Sequence, residues 1–202
     1  MDASVGTAGL VLAAGAGVRM GIPKALVQDR RTGEFWVHRA VRALRTGGCD
    51  ELTVVLGAGA ERATRLLQEE TDPPRIVVAE DWAEGMGRSL AAGLQSLATT
   101  SAGAAVVMLV DLPDVGSEVV HHVLDSVHLG PDCLARASYE GRPGHPVVLG
   151  RHHWSGVLAS ARGDSGARDY LHKAGAHLIE CGQLATGADC DTPTGWADTG
   201  AL

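Results

Sequence analysis

Short apolar runs rich in branched side chains recur along this chain, and each is followed by a longer stretch with helical spacing. That alternation constrains the fold most strongly, because strand-helix units in series bury their faces best around a mostly parallel sheet. The expected strands are Gly9 to Ala13, Leu52 to Leu56, Ile76 to Ala79, Ala105 to Val110 and Leu178 to Glu180. Val37, Val41 and Leu44 recur at four- and three-residue intervals with Arg39, Arg42 and Arg45 mainly opposite, which predicts an amphipathic helix over Phe35 to Arg45. Residues 60–69, 87–97 and 117–127 behave similarly. From Cys133 to Leu149 the pattern changes: two extended segments flank a Gly141-Arg142-Pro143-Gly144 break, which reads as a β excursion beside the main sheet. The fold class is α/β, with a Rossmann-like, mostly parallel sheet flanked by helices. No long linker or internal repeat divides the 202 residues, so one domain over 1–202 is expected.

A formal net charge of -7 supplies no general basic field, which argues against nucleic acid or an anionic membrane as partner. Any anionic ligand has to be held locally. Met1-Asp2-Ala3-Ser4 lacks a basic n-region, and the apolar stretch at Ala104 to Val110 is too short to span a bilayer, so a cytoplasmic location is expected. Cys49, Cys133, Cys181 and Cys190 lack C-x-x-C spacing and read as reduced thiols. The pairs His121-His122 and His152-His153 do not form a zinc motif, since adjacent side chains on a helix point about 100° apart.

The local grip is found directly after the first expected strand, at Leu12-Ala13-Ala14-Gly15-Ala16-Gly17-Val18-Arg19-Met20-Gly21-Ile22-Pro23-Lys24. Small residues there let backbone N–H groups approach a polyphosphate, and Arg19 and Lys24 can neutralise it. A dinucleotide fingerprint from Gly15 would need glycine at Met20, and a P-loop would need Ser or Thr at Ala25, so neither motif fits. At Gly57-Ala58-Gly59-Ala60-Glu61-Arg62, Glu61 would repel phosphate, and an ordinary turn is expected. Asp111 ends the run Val106 to Val110, at the carboxyl edge of the sheet where ligands collect, and is a candidate magnesium ligand.

The loop L-A-A-G-x-G-x-R-M-G-x-P-K resembles the signature of the MobA-like nucleotidyltransferases. The similarity continues in order through Asp81 to Leu90, Asp111-Leu112-Pro113, Gly141 to Pro146, Gly163 to Arg168 and Asp191-Thr192-Pro193. It implies a nucleotide-diphospho-sugar-transferase type of fold. The Ala13-Ala14-Gly15 spelling resembles the MocA branch, which joins CTP to a molybdopterin-type acceptor.

The resemblance assigns Leu12, Ala13, Ala14, Gly15, Gly17, Arg19, Lys24, Gly85, Met86 and Ser89 to the nucleotide. It assigns His145, Asp164 and Arg168 to the acceptor, and Asp111 and Asp191 to Mg²⁺, with Asp189 a substitute. Lys24, Arg19 and Asp111 would carry catalysis. Asp114 reads as part of a turn, Trp82 as packing, and Asp164 or Ser165 equally as a helix cap. Asp29 to Glu34 either shapes the acceptor side or is simply a turn. The alternatives are GTP as donor, a sugar or polyol phosphate as acceptor, and a non-catalytic carrier of the cofactor for a molybdenum hydroxylase client.

Overall fold

The computed structural model describes residues 6–161, 163 and 166–191. Among the described residues, seven strands form one sheet: β1 (Thr7–Ala13), β2 (Glu51–Leu56), β3 (Arg75–Val78), β4 (Ala104–Leu109), β5 (Leu134–Tyr139), β6 (Arg142–Gly150) and β7 (His177–Glu180). The spatial order is β3-β2-β1-β4-β6-β5-β7. Among these described strands, only the β6 pairings, with β4 and β5, are antiparallel. The helices are α1 (Trp36–Thr46), α2 (Ala60–Gln68), α3 (Met86–Leu97), α4 (Ser117–Asp125), α5 (Arg151–Ser160) and α6 (Arg168–Lys173). None of the described helices is long and apolar enough to cross a membrane.

Burial on both faces explains why the central strands are near-continuously apolar. Val11 and Ala13 of β1, with Val106 and Met108 of β4, meet Val37, Val41 and Leu44 of α1 and Val119 and Val123 of α4. Leu10 and Leu12 turn the other way, with Val107, onto Leu90 and Leu94 of α3 and Trp154 and Val157 of α5. Helix α5 was not anticipated, although Trp154, Val157 and Leu158 carry the three- and four-residue spacing that marks it; α6 follows the segment whose alternative reading was a helix start.

The region 133–149 requires a correction. It is not an excursion beside the sheet, because β6 lies inside it between β4 and β5. Val148 packs into one core while Val147 and Leu149 pack into the other, so the strand is stable only with both faces covered. Its reversal comes from the two-residue turn Glu140-Gly141, with φ of 52° and 76° and Tyr139 paired to Arg142. Two successive positive φ values match the twist of an antiparallel hairpin.

Glu180 braces that turn. Its carboxylate accepts the N–H groups of Glu140 (2.9 Å), Gly141 (3.1 Å) and Gly182 (2.9 Å) and the Ser138 hydroxyl (3.0 Å). The backbone donors, led by Gly141, hold its pKa down to about 2. A depressed carboxylate contributes stability above its unfolded pKa of about 4.3, and that contribution is lost as pH falls through the folded value. Wild type should therefore melt above Glu180→Gln at pH 7, with the gap narrowing by pH 3 and closing near pH 2. A pH-independent gap in thermal melts would rule this role out.

Candidate active site

Lys24, Arg19, Asp111 and Asp191 gather where β1 and β4 end. The turn after β1 is shaped by Met20 N–H donating to Gly17 O (2.8 Å) and Lys24 N–H donating to Gly15 O (3.1 Å). Among the described residues, the amides of Ala16, Gly17, Val18 and Arg19 find no protein acceptor. Gly17 has φ 59°, and a Cβ there would stand 2.0 Å from the Ile22 carbonyl oxygen, so only glycine fits. The Gly57 turn is not a second binding loop but a support for the first. Ala58 N–H donates to Ala14 O (3.0 Å), and a Cβ on Gly57 would lie 2.5 Å from the Trp82 ring and 2.8 Å from Ala14 O. Trp82 is thus a packing residue.

Lys24 lies in the short 3-10 turn Lys24–Leu26. Its Nζ donates to Asp111 Oδ2 and, at 2.8 Å, to Asp191 Oδ1. Arg19 Nη2 meets Asp191 Oδ2 at 2.5 Å. Asp111 stands just past β4, and Cys190 N–H donates to its backbone carbonyl (2.9 Å), which brings the neighbouring Asp191 alongside. Asp191, not Asp189, shares Lys24 with Asp111. The Lys24, Asp111 and Asp191 side chains are 21, 10 and 23% exposed, whereas Arg19 is 70% exposed and its pairing is strongly screened. Burial pulls the Lys24 pKa down, but the charge of Asp111, then the hydrogen bonds to both carboxylates and the charge of Asp191, outweigh it and raise it. The Lys24 hydrogen bond, followed by the Lys24 and Arg19 charges, holds Asp191 below the usual carboxylate value against its own desolvation. Lys24 and Asp191 thus each favour the charged form of the other.

Two carboxylates focused on one small cation are the share of ligands that Mg²⁺ takes from protein, phosphate oxygens and water supplying the rest. Asp111 and Asp191 therefore fit a divalent ion. Groups of three or more His, Cys, Asp or Glu able to hold a metal are absent among the described residues.

The other expected residues lie in or after β1, at the start of α3, in β6 and at the start of α6. Leu12 and Ala13 are buried in β1, and Ala14 directly follows it. Gly85 and Met86 open α3, with Ser89 buried one turn in. Gly166 lies against Met86, its Cβ position 3.6 Å from the sulfur. Arg168 is exposed at the start of α6. Asp164 and Ser165 lie outside the described residues, and the residue capping α6 is Ala167, without a side-chain bond.

His145 is partly buried in β6. Its carbonyl accepts the Tyr139 hydroxyl (2.6 Å), and Arg136 Nε and Nη2 donate to Gly144 O (3.2 and 3.1 Å). Arg136 was not singled out in the sequence, though a charge between Ala135 and Ala137 in a buried strand is a usable signal. Burial, then the Arg136 and Arg168 charges, push the His145 pKa down to about 3. The unfolded chain takes up this proton first, so His145 costs stability as pH falls from about 6.5 toward 3. Nitrogen NMR should show its imidazole neutral at pH 5; a charged ring there contradicts the assignment.

The remaining expectations concern surroundings. Asp114 Oδ2 accepts the Thr186 N–H and hydroxyl, both at 2.6 Å, which makes it a tie for the C-terminal segment. Asp29 to Glu34 is a turn in which Asp29 Oδ1 accepts the N–H groups of Arg31 (2.7 Å) and Thr32 (3.2 Å). None of the four cysteines is in a disulfide, and burial, followed by Asp50, pushes the Cys49 thiol up to about 12. A cleft of about 310 Å³ by Arg45, Glu51 and Arg75 opens at the amino ends of β2 and β3, the wrong edge for this site.

Open amides, two cations and two converging carboxylates thus meet at the carboxyl edge of parallel strands, a set suited to a polyphosphate and a divalent ion. The chain belongs to the MobA-like NTP transferase domain family, whose profile matches residues 9–178. The nicotine blue oxidoreductase of Paenarthrobacter nicotinovorans is 37% identical over 194 residues, 91% of either chain. Rv0371c of Mycobacterium tuberculosis H37Rv superposes with a TM-score of 0.75 at 27% identity over 98% of both chains. A structure of Rv0371c in complex with manganese gives 0.69 at 28% identity, covering 92% of this chain and 94% of that one. A nucleotidyl transferase from Methanothermobacter thermautotroptrophicus, 18% identical over 96% of this chain and 95% of its own, shares the fold with a TM-score of 0.78. The architecture is the nucleotide-diphospho-sugar transferase fold.

Proposed function

We propose that this chain is a cytoplasmic cytidylyltransferase that joins CTP to the terminal phosphate of a molybdenum-bearing pterin and releases pyrophosphate. The observation supporting this most is Lys24, held by Asp111 and Asp191 beside the open amides of Ala16 to Arg19. Leu12, Ala13, Ala14, Gly15 and Gly17 would line the nucleotide, with Gly85, Met86 and Ser89 at base and ribose. The Ala14 methyl disfavours a purine by about 1–3 kcal/mol. His145, Asp164 and Arg168 would face the acceptor.

Asp111 and Asp191 would hold Mg²⁺, which supplies charge neutralisation for the triphosphate when bound. An acceptor phosphate oxygen attacks the α-phosphorus, and the bond to the leaving pyrophosphate breaks. Lys24 and Arg19 stabilise the charge gathering on the departing oxygens. The nucleophile is already ionised at neutral pH, so no general base is required.

A redox reading is favoured by one observation, the 37% identity to an enzyme named as an oxidoreductase. Against it, a carboxylate pair able to bind a metal ion has no task in hydride transfer. Pyrophosphate release should be measured across four nucleoside triphosphates with Mg²⁺ and the loaded pterin, alongside oxidation of a reduced nicotinamide dinucleotide. Release specific to CTP and pterin is expected. Release with GTP or a sugar phosphate shifts donor or acceptor, cofactor binding without release indicates a carrier, and dinucleotide oxidation alone replaces the proposal with the redox reading.

A further inference from the structure

The Lys24 ammonium stands between the two carboxylates that would hold a divalent ion, donating to Asp111 Oδ2 and to Asp191 Oδ1. Arg19 covers the other oxygen of Asp191. Two positive groups thus already balance two carboxylates. A free divalent ion adds two positive charges with nothing to offset them, and it cannot share this carboxylate pair with an ammonium without strong repulsion. A triphosphate alone meets the opposite problem, with the two carboxylates facing its charge. Only when both enter can the cations leave the carboxylates for phosphate oxygens.

The route for that exchange is short. The Lys24 backbone is anchored by its N–H on Gly15 O, and its side chain runs beside Gly15, whose Cβ position lies 3.8 Å from the Lys24 Cδ. The amides of Ala16 to Arg19 follow immediately along the loop. Rotation about the flexible terminal bonds of the lysine carries its charge from the carboxylates toward an anion above the loop. Arg19, mostly in solvent, is equally free to turn.

We propose that Lys24 is an exchangeable occupant of the Asp111–Asp191 pair, so that the site accepts a divalent cation and a nucleoside triphosphate together and either one alone only weakly. This rests on the nucleotide-site reading above but not on the identity of the acceptor or on any transfer step. Linkage then makes the coupling reciprocal: nucleotide tightens the metal by the same factor as metal tightens the nucleotide.

Mn²⁺ binding can be followed by loss of its free-ion EPR signal, without and with saturating non-hydrolysable α,β-methylene analogues of CTP and GTP, after correction for chelation in solution. Wild type should bind Mn²⁺ at least about tenfold more tightly with an analogue present. Lys24→Met should bind Mn²⁺ without nucleotide about tenfold more tightly than wild type, because the carboxylates have lost their competitor. Mn²⁺ alone should also raise the melting temperature of Lys24→Met more than that of wild type. Lys24→Gln repeats the comparison should the methionine variant fold poorly, and the wild-type coupling factor stands without either. Equal wild-type Mn²⁺ affinity with and without analogue, or no gain in the neutral variants, overturns the exchange. Failure of any analogue to bind, with or without Mn²⁺, overturns both the exchange and the nucleotide reading. Coupled binding without transfer activity supports the exchange and sinks only the transferase proposal.

Discussion

Asp111→Asn lowers turnover by roughly 10²–10³-fold, the scale expected when a preorganised charge contact in an active site is lost, and leaves the fold in place. The carboxamide has the shape of the carboxylate, but it neither balances the Lys24 ammonium nor serves as an anionic ligand for Mg²⁺. The fold survives because the structural tie at this residue is its backbone carbonyl, which receives the Cys190 N–H and is untouched. Pyrophosphate release and far-UV circular dichroism measured on the same sample test both halves. Near-normal release removes Asp111 from the mechanism.

Gly17→Ala has the second largest expected effect, for a steric reason. The left-handed backbone costs a non-glycine residue about 1–2 kcal/mol, and the added methyl would stand 2.0 Å from the Ile22 backbone oxygen. The Gly17-to-Lys24 turn must therefore open. We expect a melting temperature several degrees lower, roughly 4–8 °C per kcal/mol for a small domain and less for one of this size, together with at least about tenfold weaker nucleotide binding. An alanine variant that melts and binds like wild type would show that the loop tolerates another path and is not built around Gly17.

Both predictions concern residues that sequence singled out, and it could do so for local reasons. The strands at β1 to β4 and the helices α1 to α4 follow from hydrophobic period, since each buries an apolar face whose spacing is printed in the chain. The glycine loop is equally local: ten consecutive residues carry the turn, the small side chains and both cations. What failed was the placement of 133–149. Two short apolar segments around a turn look alike whether they hang beside a sheet or enter it, and the difference lies in which helices cover Val147, Val148 and Leu149. Arg136 was passed over because its significance is the Gly144 carbonyl it holds, across a hairpin whose register the sequence does not state.

By itself, then, the sequence determined the strand-helix series, the glycine-rich turn and the stock of charges available to a polyphosphate, because each is a property of neighbouring residues. Tertiary structure alone decided that β6 runs antiparallel within the sheet and that the Gly57 turn supports Ala14. It also decided that Asp111 and Asp191, far apart in the chain, close on the one ammonium of Lys24. Those are distances across the fold, set by strand order and by ties such as the Cys190–Asp111 backbone hydrogen bond, and no local pattern encodes them.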